Sequence, residues 1–443
     1  MQQGQEIGAL ARSLYPDGVN ASESGAADAT KALMASGCEV IFEATAFADP
    51  FVAKADIIQR DGCGWHVIEV KSSFADTSSL NEIVDDLAYT VMVLVRSGVQ
   101  VVKASLLLLA RTYKFGDAPD RLFECLDKTG EVLARAAEFD KQADNAGVLF
   151  HDMPPTPVLG STCRNCVHFT SQCLGAGIAH TVLEIPGLHH RKLARLAAES
   201  VVDLAAVPND LGLNARQERT RQSAMSGQLI VESDLGKALE TISWPCHYLD
   251  FETVATVQPL YSGHGCHHQV LTQFSVHRRD SVDSTPQHSE FLADAAEDCQ
   301  KQLAEALVNA VEPHGSILVY SSFEQTRIKA LIAAFPELAT PLKAILDRLF
   351  DLHTCIVNYV CHPDFKGSSS IKKVLPALVP DLSYQELAIR DGDTAITRFA
   401  RMARGEIAAA DVSLTRLELF HYCRLDTLAM VKLHDALFKL ASA

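Results

Sequence analysis

Two apolar stretches of this chain, GWHVIEVKSS and PCHYLDFET, each end in carboxylates, and this pattern constrains the fold more than any other. Short apolar runs belong in the interior of a sheet, yet a buried carboxylate without a partner is costly. Each strand must therefore open at its end onto something that offsets the charge of Glu69, or of Asp250 and Glu252. Carboxylate oxygens gathered around a divalent cation meet that need. The chain accordingly reads as two α/β lobes, each with its own acid cluster.

At 443 residues the length fits two or three domains. We expect a first α/β domain over 1–178, a small helical connector over 179–238, and a second α/β domain over 239–443. In the first, CEVIFEATAF, FVAKADIIQR and GWHVIEVK read as strands, the last two joined at Asp61-Gly62 as a hairpin. LNEIVDDLAYTVMVLVRSG reads as a helix stopped by Gly98, and VQVVKASLLLLA as a buried strand. The second domain repeats the mixture, with strands in PCHYLDFET, HQVLTQFSVH and SILVYSS.

Composition is that of an ordinary globular chain, 48% hydrophobic and 21% charged. No apolar run approaches the roughly 18 residues that span a bilayer. The opening MQQGQEIGALARSLYPDG lacks a basic segment followed by an apolar one, so the expectation is a cytoplasmic protein with no membrane partner. A net charge of −16 weighs against nucleic acid as a partner. Local basic patches count for more than the sum. They occur at Arg191-Lys192 in HHRKLARL, at Lys372-Lys373, and at Arg401 with Arg404.

In the first cluster, Asp56 lies on one strand and Glu69-x-Lys71 closes the next. Side chains alternate along a strand, so Glu69 and Lys71 share a face. Two carboxylates can hold Mg²⁺ or Mn²⁺, which polarises a phosphate and acidifies a bound water. A lysine beside them positions that water and offsets charge on the phosphoryl oxygens. Glu43 is a candidate additional ligand. In the second cluster, Asp250 and Glu252 share a strand face, with a distant partner in Asp426 of HYCRLDTLAM. Tyr422 precedes Asp426 by four residues and His421 by five. Either can orient an attacking water; helical i, i+4 geometry favours Tyr422, and ordinary basicity favours His421. Asp351 reads as a helix N-cap.

Twelve cysteines without an export signal argue against a disulfide framework. Cys163, Cys166 and Cys173 form a C-x₂-C-x₆-C cluster with His168 nearby, a pattern that suggests iron–sulfur or zinc ligation. IPGLHHRKLARL suggests a helix–hairpin–helix turn, with backbone N–H groups at a helix start facing phosphate.

The first cluster resembles the PD-(D/E)XK site of RecB-like nucleases, including the type that carries a [4Fe–4S] cluster on three cysteines after the core and one before it. Cys38 is the cysteine that precedes this core. The family's Gln and Tyr on the following helix correspond here to Thr90 and Met92, a departure from the pattern. The second cluster resembles the DEDD motifs of DnaQ-like, RNase H-fold exonucleases, with Glu324 standing where that family has Asp. Together with HPDFKGSSSIKKVLPALVPDLSYQELAIRDGDTA, the chain resembles the bacterial family known as domain of unknown function 2779. These resemblances imply a metal-dependent nuclease acting on DNA, with RNA the open alternative, and a place in DNA repair or defence against foreign DNA. A non-catalytic or half-active nucleic-acid-binding adaptor with a structural iron–sulfur cluster is the rival expectation.

Overall fold

The computed structural model describes residues 2–21, 26–148, 156–382, 388–389 and 391–442; residues 383–387 and 390 of the LSYQELAIRDG run lie outside them. No helix among the described residues is long and apolar enough to cross a membrane. The chain divides into two units, Met1–Pro155 with Ala255–Gln269, and Thr156–Val254 with Val270–Ala443. The expected boundary at residue 178 is thus displaced to 155, and the cysteine segment and the connector belong to the second unit. A short stretch, 255–269, belongs to the first unit.

The first unit runs α1 (Gln2–Ser13), β1 (Val19–Asn20), α2 (Ala26–Ala35), β2 (Val40–Ala48), β3 (Phe51–Asp61), β4 (Gly64–Phe74), α3 (Leu80–Arg96), β5 (Val101–Leu109), β6 (Phe123–Asp127) and α4 (Thr129–Val148). Its described strands form one six-stranded sheet in chain order, β1 through β6. β2, β3 and β4 are an antiparallel meander, and β5 returns parallel to β4 after α3. Alternating side chains feed two cores. Ile58, Val67, Leu106 and Leu108 pack with Val84, Leu87 and Val91 of α3 and Val132 of α4. Ile57, Ile68 and Leu107 pack instead with Ala11 of α1.

The second unit begins with α5 (Phe169–Gln172), α6 (His190–Ala198), α7 (Ala215–Ser226), β7 (Ile230–Val231) and α8 (Leu235–Leu239). Leu183, Ile185, Leu193, Leu196 and Leu211 give this helical region its own small core. β8 (Cys246–Val254), β9 (Val270–Arg279) and β10 (Gln287–Leu292) follow, then α9 (Gln300–Ala310), β11 (Ile317–Val319), α10 (Phe323–Ala334), α11 (Ala339–Leu346) and β12 (Leu349–Asp351). α12 (Leu352–Tyr359), β13 (Val360–Cys361), α13 (Ile371–Leu378), α14 (Gly392–Ala403) and α15 (Ala409–Ser442) complete it. The main sheet has the order β10-β9-β8-β11-β12, and β13 pairs with β7 separately. β8 and β9 pair antiparallel, as do β9 and β10, whereas β8, β11 and β12 run parallel.

β8 is the middle strand, and both its faces are covered. Leu249 and Phe251 pack with Leu303 and Leu307 of α9 and Ile328 of α10. Cys246 and Tyr248 pack on the other side with Met430, Leu433 and Leu437 of α15. By strand alternation Asp250 and Glu252 continue the Cys246–Tyr248 face, where apolar packing gives way to carboxylates. The α/β class expected for both halves is what the chain adopts.

Candidate metal centre

Asp250 and Glu252 of β8 meet Asp426 of α15: one carboxylate oxygen from each lies within 4.8 Å of the others. Among the described residues this is the single group of three or more acids, cysteines or histidines gathered so closely. Each acid is only part-buried, so the site opens at the rim of the sheet. Its donor set is all carboxylate oxygen, the hard ligation that suits Mg²⁺ or Mn²⁺ rather than a thiophilic ion.

The electrostatics agree with crowding of like charge. Burial, then the carboxylates of Asp426, Glu252 and Glu324, hold Asp250 well above the usual carboxylate range. Burial and Asp426 push Glu252 up to about 8, and Lys372 pulls it back partway. Glu324, 3% exposed in the first turn of α10, is pushed up to about 7 by burial and by Asp351. It influences Asp250 and Glu252 electrostatically but stands outside the close triplet. Asp351 caps α12 by accepting from the His353 N–H at 2.8 Å, the role expected of it.

Tyr422 and His421 separate clearly. Tyr422 is buried, and its hydroxyl is raised above its ordinary pKa by burial and by Asp426, Glu252 and Asp250. His421 is exposed and acts on Glu290 instead. Cys423, unremarked in the sequence, is fully buried, and its thiol donates to Asp250 Oδ2 at 3.7 Å. Lys372 and Lys373 are both exposed at the start of α13, Lys372 near enough to act on Glu252. The preceding turn is shaped by Gly367, at φ 72°, where an added Cβ would overlap the carbonyl oxygen of Glu184.

In the first unit Asp56 and Glu69 sit on neighbouring strands. The β3–β4 ladder ends at Ile57 and Ile68. Just beyond it, Asp56 Oδ2 accepts from the freed Val70 N–H at 2.8 Å. Burial and Asp56 push Glu69 up to about 7, and burial and Glu43 raise Asp56. Lys71 Nζ lies 3.0 Å from Glu69 Oε1 and 3.1 Å from Asp86 Oδ2, so α3 supplies an acid that the motif did not mark. Glu43, at φ 55° within β2, is paired with Arg12 at 3.1 Å and Lys54 at 2.6 Å. It borders, with Asp56 and Gly8, a cleft of about 690 Å³. Thr90 and Met92 are buried along α3, the threonine hydroxyl returned to the Asp86 carbonyl at 3.2 Å.

Cys163, Cys166 and Cys173 form no close group among the described residues. The Cys163 thiol faces the Val158 carbonyl at 3.8 Å and accepts from Gly160 N–H at 3.4 Å, while Cys166 is exposed. His168 beside them is exposed as well. At the start of α6 three backbone N–H groups have partners within the chain. His189 accepts the Arg191 N–H through its ring and the Lys192 and Leu193 N–H groups through its carbonyl. The Lys192 ammonium donates to the Gly212 carbonyl, whereas Arg191 is exposed.

Residues 247–370 match the family model described as domain of unknown function (DUF2779). The match takes in Asp250, Glu252 and Glu324 but ends before Asp426. The chain is also similar to the uncharacterized protein MG366 homolog of Mycoplasma pneumoniae, with 29% identity over 208 residues, covering 42% of this chain. It spans 31% of the length of that curated relative. No solved structure matches the chain.

Proposed function

We propose that this chain, whose residues 247–370 match the DUF2779 family model, is a Mg²⁺- or Mn²⁺-dependent nuclease that hydrolyses DNA phosphodiesters. The observation that carries the reading is the convergence of Asp250, Glu252 and Asp426, from segments far apart in sequence, to within 4.8 Å. Packing alone gives no reason to gather three carboxylates, and a shared cation would supply one. The central place of β8, between antiparallel and parallel halves of its sheet, supports an RNase H-like domain of the DnaQ type. In the first unit, the β2–β4 meander followed by α3 and a parallel β5 supports a PD-(D/E)XK domain.

Bound divalent ions would supply an activated water and stabilise the leaving oxygen. Asp250, Glu252 and Asp426 would hold them, with Glu324 within electrostatic reach. Burial and three carboxylates raise the Tyr422 hydroxyl above its ordinary pKa. The role assigned to it is to orient water by hydrogen bonding. Lys372, exposed beside Glu252, offers positive charge to the nucleic-acid backbone.

A half-active protein is the second reading, and Lys71 favours it. Its ammonium is engaged by Glu69 and Asp86, and the first unit gathers no acid triplet among the described residues. Digestion of labelled single-stranded DNA by the full chain with Mg²⁺ or Mn²⁺ tests both. Asp250→Ala is expected to lower the rate by roughly 100-fold or more, and under the second reading Lys71→Ala leaves it within a few-fold. Equal rates for wild type and Asp250→Ala would refute the assignment of cutting to the triplet.

A further inference from the structure

Asp426 reaches the triplet on a helix that is remote in sequence from β8. A slip of one residue along a helix moves a side chain by about 1.5 Å and turns it by about 100°. Apolar packing alone tolerates small slips, whereas hydrogen bonds are directional. Something must therefore fix the axial position of α15.

β9 supplies it. Gln273, Ser275 and His277 alternate onto one face of the strand and are 1%, 0% and 3% exposed. Gln273 Nε2 donates to the Leu419 carbonyl at 3.1 Å. Ser275 Oγ and His277 Nδ1 both reach the Thr427 hydroxyl, at 2.8 and 2.7 Å. Thr427 is itself fully buried and directly follows Asp426.

The hydrogens can be placed by elimination. The Arg424 carbonyl can only accept, so the Thr427 hydroxyl donates to it, at 3.1 Å. The Thr427 oxygen then accepts from Ser275 and from His277. Ser275, its one hydrogen spent, accepts from His288 Nε2 at 2.9 Å. The Ser275 and Thr427 hydroxyls are thereby satisfied with both imidazoles neutral, and burial favours that state in each. Buried directional bonds of this kind favour one arrangement over others.

We propose that Thr427, gripped by Ser275 and His277, is the positioning residue that sets where Asp426 stands and hence how tightly the triplet holds a divalent cation. The proposal rests on the metal reading of that triplet.

Mn²⁺ binding by the full chain, followed through the electron paramagnetic resonance signal of free Mn²⁺, tests it without reference to activity. Thr427→Val keeps the shape of the side chain and removes the hydroxyl. Unfolding is expected to stay cooperative while the dissociation constant rises about 10- to 100-fold, and Thr427→Ser is expected to restore most of the affinity. Ser275→Ala, which removes one rung only, gives a smaller loss and serves if Thr427→Val does not fold. Wild-type affinity in a folded Thr427→Val, or in Ser275→Ala where that is the variant measured, overturns the clamp alone. A wild-type chain that binds no Mn²⁺ overturns the metal reading and the clamp with it.

Discussion

At Glu252, burial and the neighbouring Asp426 hold the carboxyl at a pKa of about 8, against an ordinary 4.5. A raised carboxyl binds its proton more tightly in the folded state, so the stability it contributes is full below about 4.5 and is lost as pH rises through about 8. Glu69 and Glu324, each near 7, act in the same direction. His277 and His288, lowered to about 3 and about 4, act in the opposite sense, but only below their ordinary 6.5. Between pH 6.5 and about 8 the raised carboxyls therefore set the slope. The thermal midpoint of the metal-free protein is expected to fall across that window, and Mn²⁺ to raise it more at the alkaline end. A flat or rising metal-free profile would contradict the account. Tyr422→Phe is expected to lower turnover roughly 100-fold while leaving Mn²⁺ affinity near wild type, because it disturbs only the placement of water. Loss of Mn²⁺ binding in that variant would give the phenol a different role. Asp250 and Glu252 were legible because period-two alternation fixes a shared face from sequence alone. The choice between Tyr422 and His421 was not, since it depends on which side of α15 is buried. Cys423 was hidden for the same reason.

Among elements, the strands were the readable part and the loops and helix partners were not. The β3–β4 hairpin follows from its turn and its apolar alternation. Asp86 follows from nothing local: its meeting with Lys71 depends on how α3 packs across the sheet. The cysteine spacing is a ligand pattern, but spacing alone does not say where thiols point, and the Cys163 thiol faces the Val158 carbonyl. The turn before α13 is more tightly determined. Its Gly367 combines a left-handed φ with direct contact on the Glu184 backbone, so no side chain fits without displacement. Gly367→Ala is expected to cost about 1–3 kcal/mol or more in urea unfolding, and to weaken DNA binding by shifting Lys372. Unchanged stability would show that the turn relaxes freely.

For the molecule as a whole, the mixed α/β character was legible and the division of the chain was not. Composition and periodicity place a boundary near a change of texture, whereas the folded chain divides where contacts are fewest. Thus 156–178 joins the second unit, and 255–269, lying between two strands of that unit, joins the first. There His267 Nε2 bonds the Ser72 carbonyl at 2.7 Å, one residue beyond Lys71. The claim on which all else depends is that Asp250, Glu252 and Asp426 grip one cation set. Anomalous diffraction from a crystal of the full chain grown with Mn²⁺ tests it most directly. The account predicts a manganese peak bounded by those three carboxylates and absent in Asp250→Asn; a well-ordered triplet with no peak at saturating Mn²⁺ would contradict it.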